Sequence, residues 1–144
     1  MTTETPKFFI RGIPAPMVER FWQFAEPYVK RALDHTSGEY KPDDLKMLCK
    51  DRAMQLWLIS EGEKVIGACT TEIALYPNKK HCRIRTLAGS KAPEWADSLD
   101  IMLQDWAKKQ GCDAIEAFVR KGFVPVLSNY SYKHKYSVVL KEIT

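Results

Sequence analysis

Few side chains in this sequence combine a reactive type with a spacing that gives them work to do. Glu72 lies in a strand-patterned run, on the alternation face shared by Ile66, Ala68, Thr70, Ala74 and Tyr76. Burial among apolar neighbours penalises a charged carboxylate and raises its pKa, which suits a general base near neutrality. The competing reading is a solvent-facing, solubilising carboxylate, because lone strand carboxylates are usually exposed.

The second feature is residues 83–95, Arg-Ile-Arg-Thr-Leu-Ala-Gly-Ser-Lys-Ala-Pro-Glu-Trp. It reads as a strand, a short loop containing Gly89, and the start of a long helix. Such a junction presents unpaired backbone N–H groups to an anion. Ser90 and Lys91 add a hydroxyl and a cation suited to phosphate. Against this, Pro93 has no N–H to donate and Glu94 adds negative charge, while Pro and Glu are also what a helix start selects on its own.

Other reactive types lack a pattern. Cys49, Cys69, Cys82 and Cys112, and His35, His81 and His134, are scattered without metal-ligand spacing. The cysteines read as reduced core thiols. Cys82 has no His partner at a legible spacing, which disfavours a thiol mechanism. Lys79, Lys80, His81, Arg83 and Arg85 form one basic group and Lys133, His134 and Lys135 another. They suit an acidic substrate, a nucleic acid or a partner protein, or simply discourage edge-to-edge strand pairing. A nucleic-acid-binding module is the weaker alternative reading of these groups, because they lack the interleaved aromatic residues of a stacking surface.

These residues need a scaffold, and 144 residues supply one domain. Hydrophobic residues at 45%, charged residues at 28% and a net charge of +4 are ordinary for a globular chain; that charge is compatible with an anionic ligand and does not by itself indicate nucleic-acid binding. No run approaches the roughly 20 apolar residues of a membrane span. Residues 1–7 are polar, without a signal-peptide core, so a loose N-terminus and a cytoplasmic location are expected.

Along the chain, residues 8–13 read as a strand, and Val18, Phe21, Trp22, Ala25, Val29 and Leu33 as a helical stripe that Pro27 should kink or split. Pro42 opens a second helix with Leu45, Leu48 and Cys49 inward. Residues 54–60, 64–76 and 81–88 read as three successive antiparallel strands. Trp95, Leu99, Met102, Leu103 and Trp106 form the face of a long helix that Gly111 caps. A strand over 113–120, a short helix or turn over 121–129, and a hairpin from 130–132 and 136–143 complete the expectation. The order is β-α-α-β-β-β-α-β-(α)-β-β, a single α/β (α+β) domain with a mixed, mostly antiparallel sheet.

That order resembles the GCN5-related N-acetyltransferase (GNAT) superfamily over nearly the whole chain. The resemblance is carried by Lys64-Val65-Ile66-Gly67-Ala68, by residues 106–115, and by Arg120-Lys121-Gly122-Phe123 with Leu127 and Tyr130. The last group is similar to GNAT-like proteins of tailed bacteriophages. The resemblance implies acetyl-CoA as cofactor, its pantetheine along residues 83–87 (Arg85, Thr86, Leu87) and its pyrophosphate at Gly89, Ser90 and Lys91. It implies a small-molecule or protein amine as acceptor, Glu72 as the base and Tyr130 as the acid, with Tyr132 and Tyr136 as alternatives. The usual loop pattern has a second Gly or Ala and no Pro, so a non-catalytic phage virion or host-interaction protein is the alternative.

Overall fold

Strand alternation and helical periodicity sort this chain onto two sides of one sheet. The computed structural model describes residues 7–144. Its five strands lie side by side in chain order: β1 (Phe8–Ile13), β2 (Gln55–Glu61), β3 (Lys64–Leu75), β4 (Lys80–Gly89) and β5 (Ala114–Ala117). The first four pair antiparallel. β5 runs parallel to β4, as a strand reached through a crossover helix must.

α1 (Val18–Leu33) and α2 (Pro42–Lys50) cover one face. Val18, Trp22, Ala25, Val29 and Leu33 recur at helical spacing and pack with Leu45 and Cys49 against Leu56, Leu58 and Ala68. The crossover helix α3 (Ala92–Lys109) covers the other, setting Trp95, Leu99 and Leu103 on Trp57, Ile59, Cys69, Ile84 and Leu87. Gly111, at φ 77°, ends α3 as expected, with the Cys112 amide donating to the Ala107 carbonyl. A short α4 (Val124–Ser128) follows β5. No helix among the described residues is long and apolar enough to cross a membrane.

Two local expectations are corrected. α1 runs through Pro27 as one continuous helix, so the split, one of the two outcomes expected there, does not occur. Pro27 and Gln23 face solvent, so the Gln23 carbonyl that loses its donor can be hydrated instead. The hairpin expected from residues 130–132 and 136–143 does not form. The amides of Tyr130 and Tyr132 both donate to the Leu127 carbonyl, and Ser131 adopts φ 69°. The would-be first arm is thus spent in ending α4.

Two bulges bend the central strands. Between β2 and β3, Ile59 faces Gly67 and Ser60 faces Val65, so Ile66 is the extra residue and its side chain joins the α3 side. Between β3 and β4, Thr70 faces Thr86 and Thr71 faces Ile84, so Arg85 is extra. Each extra residue re-aims the side chains around it.

Candidate active site

The Arg85 bulge coincides with the end of another pairing. β4 and β5 are joined from His81↔Ala114 to Ile84↔Ala117, with one further bond from the Phe118 amide to the Ile84 carbonyl. Beyond Ile84 the two strands part, and residues 85–88 have no strand partner on that edge among the described residues. Arg85, Thr86 and Leu87, named from the sequence as cofactor contacts, line the resulting groove across from Phe118 and Tyr130. Thr86 is pinned on the α1 side by a 2.6 Å bond between its hydroxyl and that of buried Thr70. The groove measures about 2090 Å³, well above the usual ligand pocket, because residues 132–138 line it without pairing to β5.

The turn into α3 is more committed than its residue types suggest. A Cβ at Gly89 would meet Gly67 Cα and the Ile66 carbonyl oxygen at 2.8 Å and Trp95 at 3.0 Å, so this glycine is set by close packing. The Ser90 amide donates to the Ile66 carbonyl at 2.9 Å. Buried Trp95 donates its indole N–H to the Ser90 carbonyl at 2.6 Å. Lys91, in the left-handed region at φ 60°, sends its ammonium 2.9 and 3.1 Å to the Glu61 carboxylate, toward β2. This bond holds the Glu61 carboxyl below its ordinary range and raises the Lys91 ammonium. The Glu94 amide donates to the Lys91 carbonyl. At this turn, among the described residues, the amides of Lys91 and Ala92 have no backbone acceptor and sit at the positive end of α3.

Glu72 does lie on the face of Ala68, Thr70 and Ala74, but the apolar surroundings expected for it are corrected. Its neighbour across the β3–β4 ladder is Arg83, and the Arg83 side chain donates to Glu72 Oε1 at 3.1 Å. Arg85 Nε stands 3.7 Å from Oε2. Arg83 in turn faces Glu116 on β5, with Nε 3.5 Å from its carboxylate. The row Glu72–Arg83–Glu116 therefore crosses three strands on the α1 side. Tyr76 donates to Glu116 at 2.6 Å and accepts from Arg83 at 3.1 Å, and His81 Nδ1 lies 3.0 Å from the same Glu116 oxygen. Burial raises the Glu116 carboxyl, but the Tyr76 and His81 bonds and the Arg83 charge outweigh it and hold the group below its usual range. Arg85 stacks 4.7 Å from Tyr40 and 5.3 Å from Phe118. The expected basic group here is thus largely neutralised.

Sequence reasoning does not single out Glu116, Tyr76 or Tyr40 as parts of a site. The matching parity of His81, Arg83 and Arg85 hints at a charged face, but finding Glu116 opposite requires the β4–β5 register. Tyr130 lies on the α3 side, half-buried, lining both the groove and a small apolar space with Leu87, Trp95 and Leu99. It does not share the Glu72 face. Its alternatives separate: Tyr136 is fully in solvent, whereas Tyr132 is half-buried, and desolvation followed by the charge of Asp100 pushes its phenol up. Cys82 is buried, and burial pushes its thiol up to about 12, consistent with a packing role.

No model of a known protein family matches the sequence, and no curated protein is similar to it. Solved structures are. A predicted acetyltransferase from Clostridium acetobutylicum, with acetyl-CoA, is 11% identical over 94% of this chain and 96% of that one, with a TM-score of 0.70. An aminoglycoside acetyltransferase from an uncultured soil metagenomic sample, in complex with trehalose, is 14% identical over 96% and 97%, with a TM-score of 0.66. A transcriptional regulator from Bacillus halodurans C-125 is 17% identical over 94% and 99%, with a TM-score of 0.63. At such identities the likeness is one of fold alone: a single α+β domain with a five-stranded mixed sheet and flanking helices, as in these acetyltransferase structures.

Proposed function

We propose that the chain is an acetyl-CoA-dependent N-acyltransferase of the GNAT type, acting on an amine carried by a small molecule or a protein. The observation that carries this reading is the parting of β4 and β5 after Ile84, which leaves residues 85–88 as a free strand edge inside a groove. An extended, amide-bearing arm such as pantetheine suits that edge, because main-chain pairing needs an unpaired strand. When bound, acetyl-CoA would supply the acyl group as a thioester. The Lys91 and Ala92 amides and the α3 dipole favour its phosphates, and Ser90 adds a hydroxyl. A fold-level neighbour with acetyl-CoA lends support.

In this reading Glu72 is the base. Its Oε2 is buried and has no hydrogen-bond donor, so Arg85 must swing aside before that oxygen can take a proton from an ammonium. Tyr130 lines the groove from the α3 side, away from Glu72, and in this reading gives its proton to the departing thiolate and not to the Glu72 side of the site. The test is a thermal-shift or calorimetric titration with acetyl-CoA. A ligand that binds only the native state stabilises it, by roughly 2.7 kcal/mol at a hundredfold excess over Kd. A saturable rise in Tm is expected; no shift at millimolar acetyl-CoA overturns the reading.

A second reading is a GNAT-fold interaction protein without cofactor, such as a phage virion or host-interaction component. The turn favours it: the Ser90 amide and the Lys91 ammonium are already engaged, and Pro93 has no N–H. The same titration separates the two.

A further inference from the structure

Arg85 is held in place without being satisfied. Its guanidinium stacks 4.7 Å from the Tyr40 ring and 5.3 Å from that of Phe118, contacts that use its faces and leave its N–H edge free. Among the described residues it donates no hydrogen bond, and the carboxylate oxygen beside it, Glu72 Oε2, stands 3.7 Å from Nε, too far for one. That oxygen is itself buried and has no donor. The pair therefore lacks an anion on the Arg85 side and an N–H donor on the Glu72 side. Arg85 lines the groove, whereas Glu72 is set back from it, so the guanidinium covers the carboxylate.

Charge points the same way. The carboxylates of Glu72 and Glu116 are balanced by the guanidiniums of Arg83 and Arg85. A bare ammonium entering beside Glu72 leaves a net positive charge in a largely buried site and displaces Arg85 with nothing in return. A ligand that brings an ammonium and a carboxylate together adds no charge and supplies both missing partners. Those partners are neighbours, which puts the two groups on one carbon, as in an α-amino acid. Arg120, on the same groove, donates to His35 and forms no ion pair among the described residues, so the local field favours a carboxylate further.

We propose that the acceptor is an α-amino acid, whose carboxylate pairs with the edge of Arg85, draws the guanidinium off Glu72 and uncovers Oε2 for the neighbouring ammonium. A planar guanidinium takes a carboxylate through two parallel hydrogen bonds. The proton then passes from the ammonium nitrogen to Glu72 Oε2 and leaves a neutral amine. Arg85 thereby sets specificity, and the substrate itself releases the base. The inference rests on the acyltransferase reading, with Glu72 as base.

The test is calorimetry on the full chain saturated with CoA, which permits acceptor binding without transfer. Each common L-amino acid is titrated alongside the amine that remains when its carboxylate is removed. At least one amino acid should bind roughly tenfold to a hundredfold tighter than its amine, the effect of a charged, hydrogen-bonded pair. Arg85→Gln should erase that ratio, and Arg85→Lys, a charge without the planar fork, should leave an intermediate one. The ratio compares two ligands on one protein, so a general loss of stability or cofactor affinity does not imitate it. Amines that bind as tightly as their amino acids, a ratio unchanged in either variant, or no amino-acid binding to a chain that does bind CoA would each overturn this inference and leave the acyltransferase reading standing. Failure to bind acetyl-CoA overturns both.

Discussion

Glu116 accepts from Tyr76 and His81 on one oxygen and faces Arg83 with the other. Its folded carboxyl lies below its usual range, so it stabilises the fold at neutral pH. That contribution is complete above the unfolded value near 4.3 and is lost as pH falls through the lower folded value. Replacing Glu116 by Gln should cost about 1–2 kcal/mol at pH 7. The gap in denaturant midpoint between wild type and Glu116→Gln should close as pH falls below the unfolded carboxyl value of about 4.3; a gap independent of pH rejects the assignment. Lys91 offers a second residue-scale test. Its ammonium is held by Glu61, so Glu61→Gln should release it and tighten acetyl-CoA binding, while Lys91→Ala should weaken it. Each change is expected to be roughly threefold, as for an exposed ion pair, and calorimetry on both variants reads the opposed signs. The sequence reveals Glu72 and Lys91 as reactive types but conceals their partners, because Arg83 and Glu61 meet them only through strand register and a turn.

At the scale of elements, periodicity locates the helices and the first five strands. What it misses comes from effects with no period. Pro27 forbids one helix bond, yet α1 continues because the stripe from Val18 to Leu33 buries too much apolar surface to be interrupted. Pro27→Ala should therefore restore the bond to the Gln23 carbonyl and stabilise the protein by about 1–2 kcal/mol after the loss of unfolded-state stiffness. Chemical denaturation measures it; a destabilised variant refutes it. The bulges at Ile66 and Arg85 are likewise illegible, since an extra residue leaves no mark in an alternating pattern. The Arg85 bulge matters most, because it falls where β4 leaves β5. The last apolar stretch of the chain is legible as strand-forming, but a hairpin needs a second arm, and the end of α4 consumes it.

For the whole molecule, two cores separated by one sheet are readable from which residues alternate and which recur every three or four positions. Chemistry is less readable, because the groove is made by strands that separate, and separation is a property of backbone pairing. The junction between β4 and β5 has one more consequence. Among the described residues the β4–β5 ladder spans only His81↔Ala114 to Ile84↔Ala117, with one backbone bond added at each end, from Asp113 to Lys80 and from Phe118 to Ile84, and the sheet's other ladders are longer. β5 and α4 should therefore open as a cooperative unit of their own, below the free energy of global unfolding. In native-state hydrogen exchange, the amides of residues 114–118 should exchange through openings of lower free energy than those of β2 and β3, and equal values would refute it. Slow breathing of this kind at the groove's outer wall would set how quickly anything enters or leaves.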